Sequence, residues 1–308
     1  MDHKYYPLTK EQRQIYDLVC VEGDAPAMIT AILEYPGGLE AAALKDAVAW
    51  LIDSNEVLHA RIIQEGAEPK QVFDVPTESL FAIMTFQNEI EAEAYAKQLQ
   101  EEGLSVEGSL CFVVGYTKEN SCGLIIHMHH ILGDGWTVML LGRQFAARLQ
   151  KERGIADNQP VVYPYSEYIL HAQQEQQQKK YQRDLAFWRS AYEEIDNPYL
   201  LAPNRAYQAA DARRMSCPLR REDAERIQKL CEACNTTPAA VFFTLFAAYF
   251  DRVRPEKEEA FLIGVPFYNR RGERERNTAG IFVNTFAVRA GIEAEKSFRY
   301  NLNKLDNT

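Results

Sequence analysis

The sequence predicts a mixed α/β fold, and three observations carry that expectation. Apolar residues recur at helical spacing in some stretches and alternate in others, and the two kinds of stretch interleave along the chain. Composition is that of an ordinary globular protein, 46% hydrophobic and 25% charged. At ~100–200 residues per domain, 308 residues suit two lobes. Acidic residues outnumber basic ones 44 to 34, a net charge of −10, which is the wrong bias for a nucleic-acid partner. The longest apolar run, Pro238 to Phe250, falls short of the ~20 residues that span a bilayer. Met1-Asp2-His3-Lys4-Tyr5-Tyr6 lacks the basic-then-apolar plan of a signal peptide, so a cytoplasmic protein with no membrane partner is expected.

The elements follow in order. Thr9-Lys10-Glu11-Gln12 is a capping box, and Ile15, Tyr16 and Val19 continue it at helical spacing. Ile29 to Tyr35 reads as a strand that Pro36-Gly37-Gly38 breaks. Leu44, Val48, Leu51 and Ile52 mark a second helix, Arg61 to Val75 is extended, and Ile90 to Glu102 is helical. Leu110 to Tyr116 and Cys122 to Met128 flank the polar turn Lys118-Glu119-Asn120, which predicts a hairpin. Trp136 to Arg153 is a helix with Val138, Met139, Leu141, Phe145 and Leu149 as core positions. The polar stretch from His171 to Arg183 leads into Leu185, Phe187, Trp188 and Tyr192, which predicts an exposed helix that becomes buried. A lobe boundary is expected near residue 175. Beyond it, Glu222 to Asn235 is helical, Thr237-Pro238 opens another helix, and Ala260 to Phe267 and Gly280 to Val288 are β-rich.

The six cysteines read as reduced thiols. Cys231 and Cys234 share a helix face with Ile227 and Leu230, so they point to a core; no second ligand pair at metal spacing accompanies them, and no metal site is expected. Three of the six histidines, His127, His129 and His130, fall within four residues. Alternation puts Leu124, Ile126 and Met128 on one strand face and Ile125, His127 and His129 on the other, with His130 where strand gives way to loop. Asp134-Gly135 then turns into a helix whose N-terminus favours the carboxylate. Such a loop can hold an imidazole rigidly, and imidazole, titrating near ~6.5, can take and return a proton. The competing reading is a chance cluster satisfied by backbone hydrogen bonds.

His129-His130-x-x-x-Asp134-Gly135 resembles the signature of the condensation domains of nonribosomal peptide synthetases, in the chloramphenicol acetyltransferase-like superfamily. Further segments resemble the family's motifs in the same order. They are Leu8-Thr9-x-x-Gln12-x-x-Ile15, Asn55-Glu56-Val57-Leu58-His59-Ala60-Arg61, Tyr165-x-x-Tyr168 with Phe187-Trp188, and Ile263-Gly264-Val265-Pro266 with Asn269-Arg270 and Gly280-Ile281-Phe282-Val283-Asn284-Thr285. The resemblance implies one complete acetyltransferase-like lobe, 1–175, and an incomplete second lobe, 176–308, because the family's two closing motifs have no counterpart before Thr308. Where the family has an arginine that pairs with the motif aspartate, this chain has His59; Arg61, two residues on, is the expected partner of Asp134, with a surface position as the alternative.

The resemblance also implies an amide-forming acyltransferase that joins a donor acyl or peptidyl thioester to the amine of an acceptor aminoacyl thioester. No cofactor would be bound directly, since both substrates ride on phosphopantetheine arms of upstream and downstream peptidyl carrier proteins, with adenylation and carrier domains of the same synthetase as partners. His130 would handle the proton or hold the amine. His129, Asp134 and Gly135 would shape the loop, supported by His59, Arg61 and Trp136. Asn269, Arg270 and Asn284 would belong to a motif at the lobe interface. Arg270, Arg271, Arg274 and Arg276 form a basic run that could dock an acidic carrier, or a solvated loop balanced by Glu273 and Glu275. The rival functions are a coenzyme A-dependent acyltransferase of the same superfamily and a non-catalytic platform.

Overall fold

The computed structural model describes residues 4–66, 68–176, 178–193, 216–254 and 261–306; the N-terminal Met1–His3 and Ala260, expected to open a β-rich stretch, lie outside the described residues. Two compact units emerge, one of residues 1–185 and 268–284, the other of 186–267 and 285–308. The expected break near 175 followed chain order. In the structure the segment 268–284 packs with the first unit instead.

In the first unit, β1 (Tyr6–Pro7), β3 (Ala60–Glu65) and β4 (Glu68–Phe73) form a small sheet of order β1-β4-β3. The larger sheet has order β2-β7-β6-β5 and comprises β2 (Met28–Pro36), β5 (Phe81–Thr85), β6 (Cys111–Lys118) and β7 (Ser121–His129). The predicted hairpin is β6–β7, paired antiparallel from Cys111↔Met128 to Lys118↔Ser121. β5 joins its far edge in parallel through the crossover helix α3 (Glu89–Glu102). This unit also holds α1 (Lys10–Glu22), α2 (Ala41–Asp53), α4 (Gly135–Glu152) and α5 (Tyr165–Gln176). The next helix, α6 (Lys179–Tyr192), runs across the unit boundary.

β7 is buried along its whole length, and its alternation decides what covers each face. Leu124, Ile126 and Met128 join Leu44, Val48, Leu51 and Ile52 of α2 and Leu141, Phe145 and Leu149 of α4 in the main core. Ile125, on the opposite face, packs with Val114 and Tyr116 of β6 and with Ala92, Ala96 and Leu99 of α3. A central strand covered on both sides is the most confined place in this unit to fix a side chain, and the three histidines stand at its end.

α1 starts at the predicted capping box: the Thr9 hydroxyl accepts from the Gln12 amide (3.2 Å) and Gln12 Oε1 accepts from the Thr9 amide (3.0 Å). The second unit holds α7 (Arg221–Cys234), α8 (Pro238–Val253), β8 (Phe261–Phe267) and α10 (Phe298–Asp306), and nearly all of β9 (Asn284–Ala290). A short α9 (Glu273–Arg276) falls in the segment returned to the first unit. α7 ends on Asn235 in left-handed geometry, and the Thr237 hydroxyl caps α8, as its Thr-Pro sequence predicts. Cys231 is buried against Val241 and Leu302, with Cys234 and Ile227 packed alongside.

Two element expectations change. α6 buries no side chain: Phe187 is 64% exposed, and Trp188 stacks on Tyr192 and Phe286 without being enclosed. Gly280 to Val283 is not strand, since β9 begins at Asn284. Instead this stretch wraps Tyr165, whose hydroxyl donates to the Ile281 carbonyl (3.0 Å) and whose ring meets Phe282 edge-on. Gly280 has φ +157°, and a Cβ there would lie 2.2 Å from the Tyr165 ring. Gly280→Ala should therefore cost about 2 kcal/mol or more, read as a lower urea midpoint, while Gly272→Ala, whose Cβ meets nothing within 4 Å, should be near neutral.

Candidate active site

The loop from His129 to Gly135 is held by main-chain hydrogen bonds: His130 N to Ala27 O (2.6 Å), Leu132 N to His129 O (3.0 Å) and Gly133 N to His130 O (3.3 Å). Its three histidines have different surroundings. His127 is buried on β7 with Nδ1 2.8 Å from the Thr30 hydroxyl, and burial lowers its pKa. His129 is also buried; its Nδ1 accepts from the Ile131 amide (3.1 Å), so the proton sits on Nε2, 3.3 Å from Asp24 Oδ1. Burial drives its pKa down against the opposing pull of Asp24, so this imidazole is neutral. Asp24 is itself fixed by the Val106 amide (2.9 Å).

His130 differs from both. It is half-buried where the other two are fully buried; its Nδ1 is enclosed without a hydrogen-bond partner among the described residues, as are the Nε2 atoms of His127 and His129. The next motif position that reaches solvent is Gly135, where a Cβ would meet nothing within 4 Å. The motif therefore exposes one imidazole on a rigid loop and places the least bulky residue at the first turn of α4.

Asp134 caps α4: Oδ1 accepts from the Thr137 amide (2.9 Å) and hydroxyl (3.1 Å). Its Oδ2 accepts from the amides of Phe282 (3.1 Å) and Val283 (3.2 Å). The cation that balances it is Arg270, whose Nη2 lies 3.1 Å from Oδ1. Arg270, only 4% exposed, directs Nη2 to the carbonyl of Gly280 (2.8 Å) and Nη1 to those of Thr278 (2.7 Å) and Glu275 (2.5 Å), while its Nε has no partner among the described residues; its guanidinium centre lies 4.0 Å from the Phe282 ring centroid.

The expected partner of Asp134 is thus corrected. Arg61 forms a two-pronged pair with Asp74 on its own sheet's edge (2.6 and 2.7 Å). Alternation placed it on a consistent strand face, but the carboxylate that face meets is Asp74. His59 lies within reach of the carbonyls of Val75 (2.7 Å) and Ile52 (3.1 Å) and has the same local role. The basic run is corrected too, because Arg270 is interior. Arg271 lies 3.9 Å from Glu175, Arg274 pairs with Glu167, and the Arg276 Nε donates to Gly272 O (3.2 Å). Trp136 donates from Nε1 to Arg276 O (2.9 Å) and meets Tyr268 edge-on. Asn269 adopts φ 51° at the start of the returning segment and Asn284 closes it.

Some site residues were not legible beforehand. Arg270 was visible only as part of a motif, with nothing to link it to a residue 136 positions earlier. Asp24 and Gln71 carry no local signal at all. Among the described residues, no group of three His, Cys, Asp or Glu side chains could hold a metal ion.

Removing either half of a buried ion pair leaves the other uncompensated, at ~3–5 kcal/mol. Asp134→Asn and Arg270→Met should each destabilise by about 3 kcal/mol in urea unfolding, and the double variant by clearly less than the sum; additive losses would reject the pairing. For His129, the folded-state pKa lies below the unfolded one, so the unfolded chain takes the proton first. Its contribution is complete above ~6.5 and is lost as pH falls, at up to ~1.4 kcal/mol per pH unit. Melting curves between pH 7 and 5 should show this decline, and His129→Gln should make it shallower.

The Condensation domain family profile matches residues 2–308. A plipastatin synthase of Bacillus subtilis is 26% identical over 98% of this chain, which spans 8% of that protein. Phosphinothricin tripeptide synthetase PhsC of Streptomyces viridochromogenes is 26% identical over 95% of the chain, spanning 28% of its length. Among solved structures, the first condensation domain of the CDA synthetase superposes with a TM-score of 0.81 at 19% identity, over 99% of this chain and 73% of that one. The condensation domain of the Monacolin K polyketide synthase MokA gives 0.81 at 17%, over 99% and 72%. These superpositions establish the chloramphenicol acetyltransferase-like fold that the motifs imply, and among the described residues no single helix is long and apolar enough to cross a membrane. With the profile spanning nearly every residue and synthetase relatives aligned along the whole length, the chain belongs to the condensation-domain family.

Proposed function

We propose that this chain carries the site for amide-bond formation between two thioester-bound substrates, in the manner its synthetase relatives' names suggest. The observation that carries the reading is His130: of the three clustered histidines, it alone is incompletely buried, and it stands on a loop held by main-chain hydrogen bonds. A thioester is already activated, so a direct attack by an amine needs no acyl-enzyme and no nucleophilic serine or cysteine. The amine nitrogen adds to the thioester carbonyl and forms a zwitterionic tetrahedral intermediate. His130 takes the proton from its ammonium nitrogen; the C–S bond breaks, the amide forms, and the proton passes to the departing thiolate. Orientation of the two substrates supplies much of the acceleration, and the loop supplies a base that does not move.

In this reading the substrates are an acyl or peptidyl donor and an aminoacyl acceptor, each on the phosphopantetheine arm of a carrier protein. Adenylation and carrier domains of the same synthetase are the partners, and the reaction is cytoplasmic. His129, Asp134 and Gly135 shape the loop, and Arg270, not Arg61, holds Asp134. His130→Ala in the full-length protein should lower amide formation from carrier-bound substrates by ~10²-fold or more with the melting temperature unchanged. Undiminished product would end the assignment. A donor that works equally well on free coenzyme A would move the reading to the acyltransferase branch.

A further inference from the structure

The residue that follows His130 is gripped at its carbonyl from outside its own loop. Gln12, on the first turn of α1, sends its Nε2 to the Ile131 carbonyl (3.3 Å) across 119 residues of sequence. The same Nε2 donates to Gln71 Oε1 on β4 (2.8 Å), and Gln71 Nε2 donates back to Gln12 Oε1 (2.6 Å) and to Pro7 O (2.9 Å). Gln12 Oε1 also accepts from the Thr9 amide (3.0 Å), so every donor and acceptor position of its amide is used. Both glutamines are 0% exposed. Ile131 is therefore held at both polar atoms, its N–H by His129 Nδ1 and its carbonyl by Gln12. Only the second of these grips comes from another element. A buried amide of this kind admits no solvent substitute, so its loss frees the carbonyl and the turn attached to it.

We infer that the Gln12–Gln71 amide pair is a positioning device for His130, clamping the carbonyl of the adjacent residue so that the imidazole keeps one orientation. The inference rests on the proposed role of His130, but its clamp can be read without turnover. In the full-length protein labelled with ¹³C-histidine, Gln12→Met should displace or split the His130 ring resonance. It should also lower kcat for amide formation by ~10–100-fold, with KM changed less than ~3-fold. Gln12→Glu, which keeps side-chain size and the acceptor for Thr9, provides the same test if the methionine variant does not fold. Asn55→Leu breaks a comparable buried amide pair, with Gln144 (2.6 Å), on other elements, and serves as the control for lost stability. It should lower the melting temperature and leave the His130 resonance in place. A Gln12 variant with the parental His130 resonance, and a kcat loss no greater than that of Asn55→Leu at equal loss of melting temperature, would overturn the inference. A wild-type protein that makes no amide, yet shows the displaced resonance in its Gln12 variants, would count against the reaction and not against the clamp.

Discussion

The carboxylate of Asp134 is the constraint on which the first unit depends. An ion removed from water costs several kcal/mol unless its lone pairs are met and its charge is balanced. Asp134 meets both conditions only if two stretches of chain distant in sequence come together. Its own helix supplies Thr137, while the segment 268–284 supplies Arg270 and the amides of Phe282 and Val283. Arg270 in turn needs the carbonyls of Glu275, Thr278 and Gly280, which fix the path of that segment. The capping carboxylate of one helix thus dictates the course of a segment that follows β8.

That network also explains why the histidine loop is rigid at one end. The other end is fixed by β7, whose register with β2 pairs Met28 with His129. Between the two fixed ends lie only His130 to Gly133, and their main chain is hydrogen-bonded internally, to Ala27 and to Gln12. The three histidines then divide by burial. His127 and His129 are enclosed, and burial lowers the pKa of both. His130 is the one imidazole of the three that is incompletely buried.

The local pattern of the sequence was enough for much of this. Periodicity located α1, α2, α3, α4, α7 and α8, and the polar turn at 118–120 located the β6–β7 hairpin. Capping chemistry placed the starts of α1 and α8 because those contacts span three residues. What could not be read is which partner a side chain meets outside its own element. Strand alternation put Arg61 on a definite face but could not say which carboxylate faces it, and Asp74 beside it won over Asp134. Arg270 read as part of a lobe-interface motif and of a basic run, a docking patch or a solvated loop, and nothing in that run marked one of its four arginines as the interior counter-ion. The aromatic run of α6 failed in the opposite direction: apolar composition predicted burial, and Phe187 remains outside.

The motifs themselves carry information of a kind that periodicity lacks. Thr9 and Gln12 are read locally as a helix cap, and they are one. The same two side chains also reach Tyr165 (3.3 Å) and Ile131, so each closes a contact between separate parts of the unit. Tyr165 continues the chain of contacts to Ile281, beside the amides that hold Asp134. An apolar core position accepts several side chains of similar volume. A buried polar contact of defined length and direction accepts very few. The short motifs of this sequence are therefore where long-range polar contacts are made, which is why ordered fragments of a few residues identified a fold that overall identity of 19% to a solved structure leaves nearly unmarked.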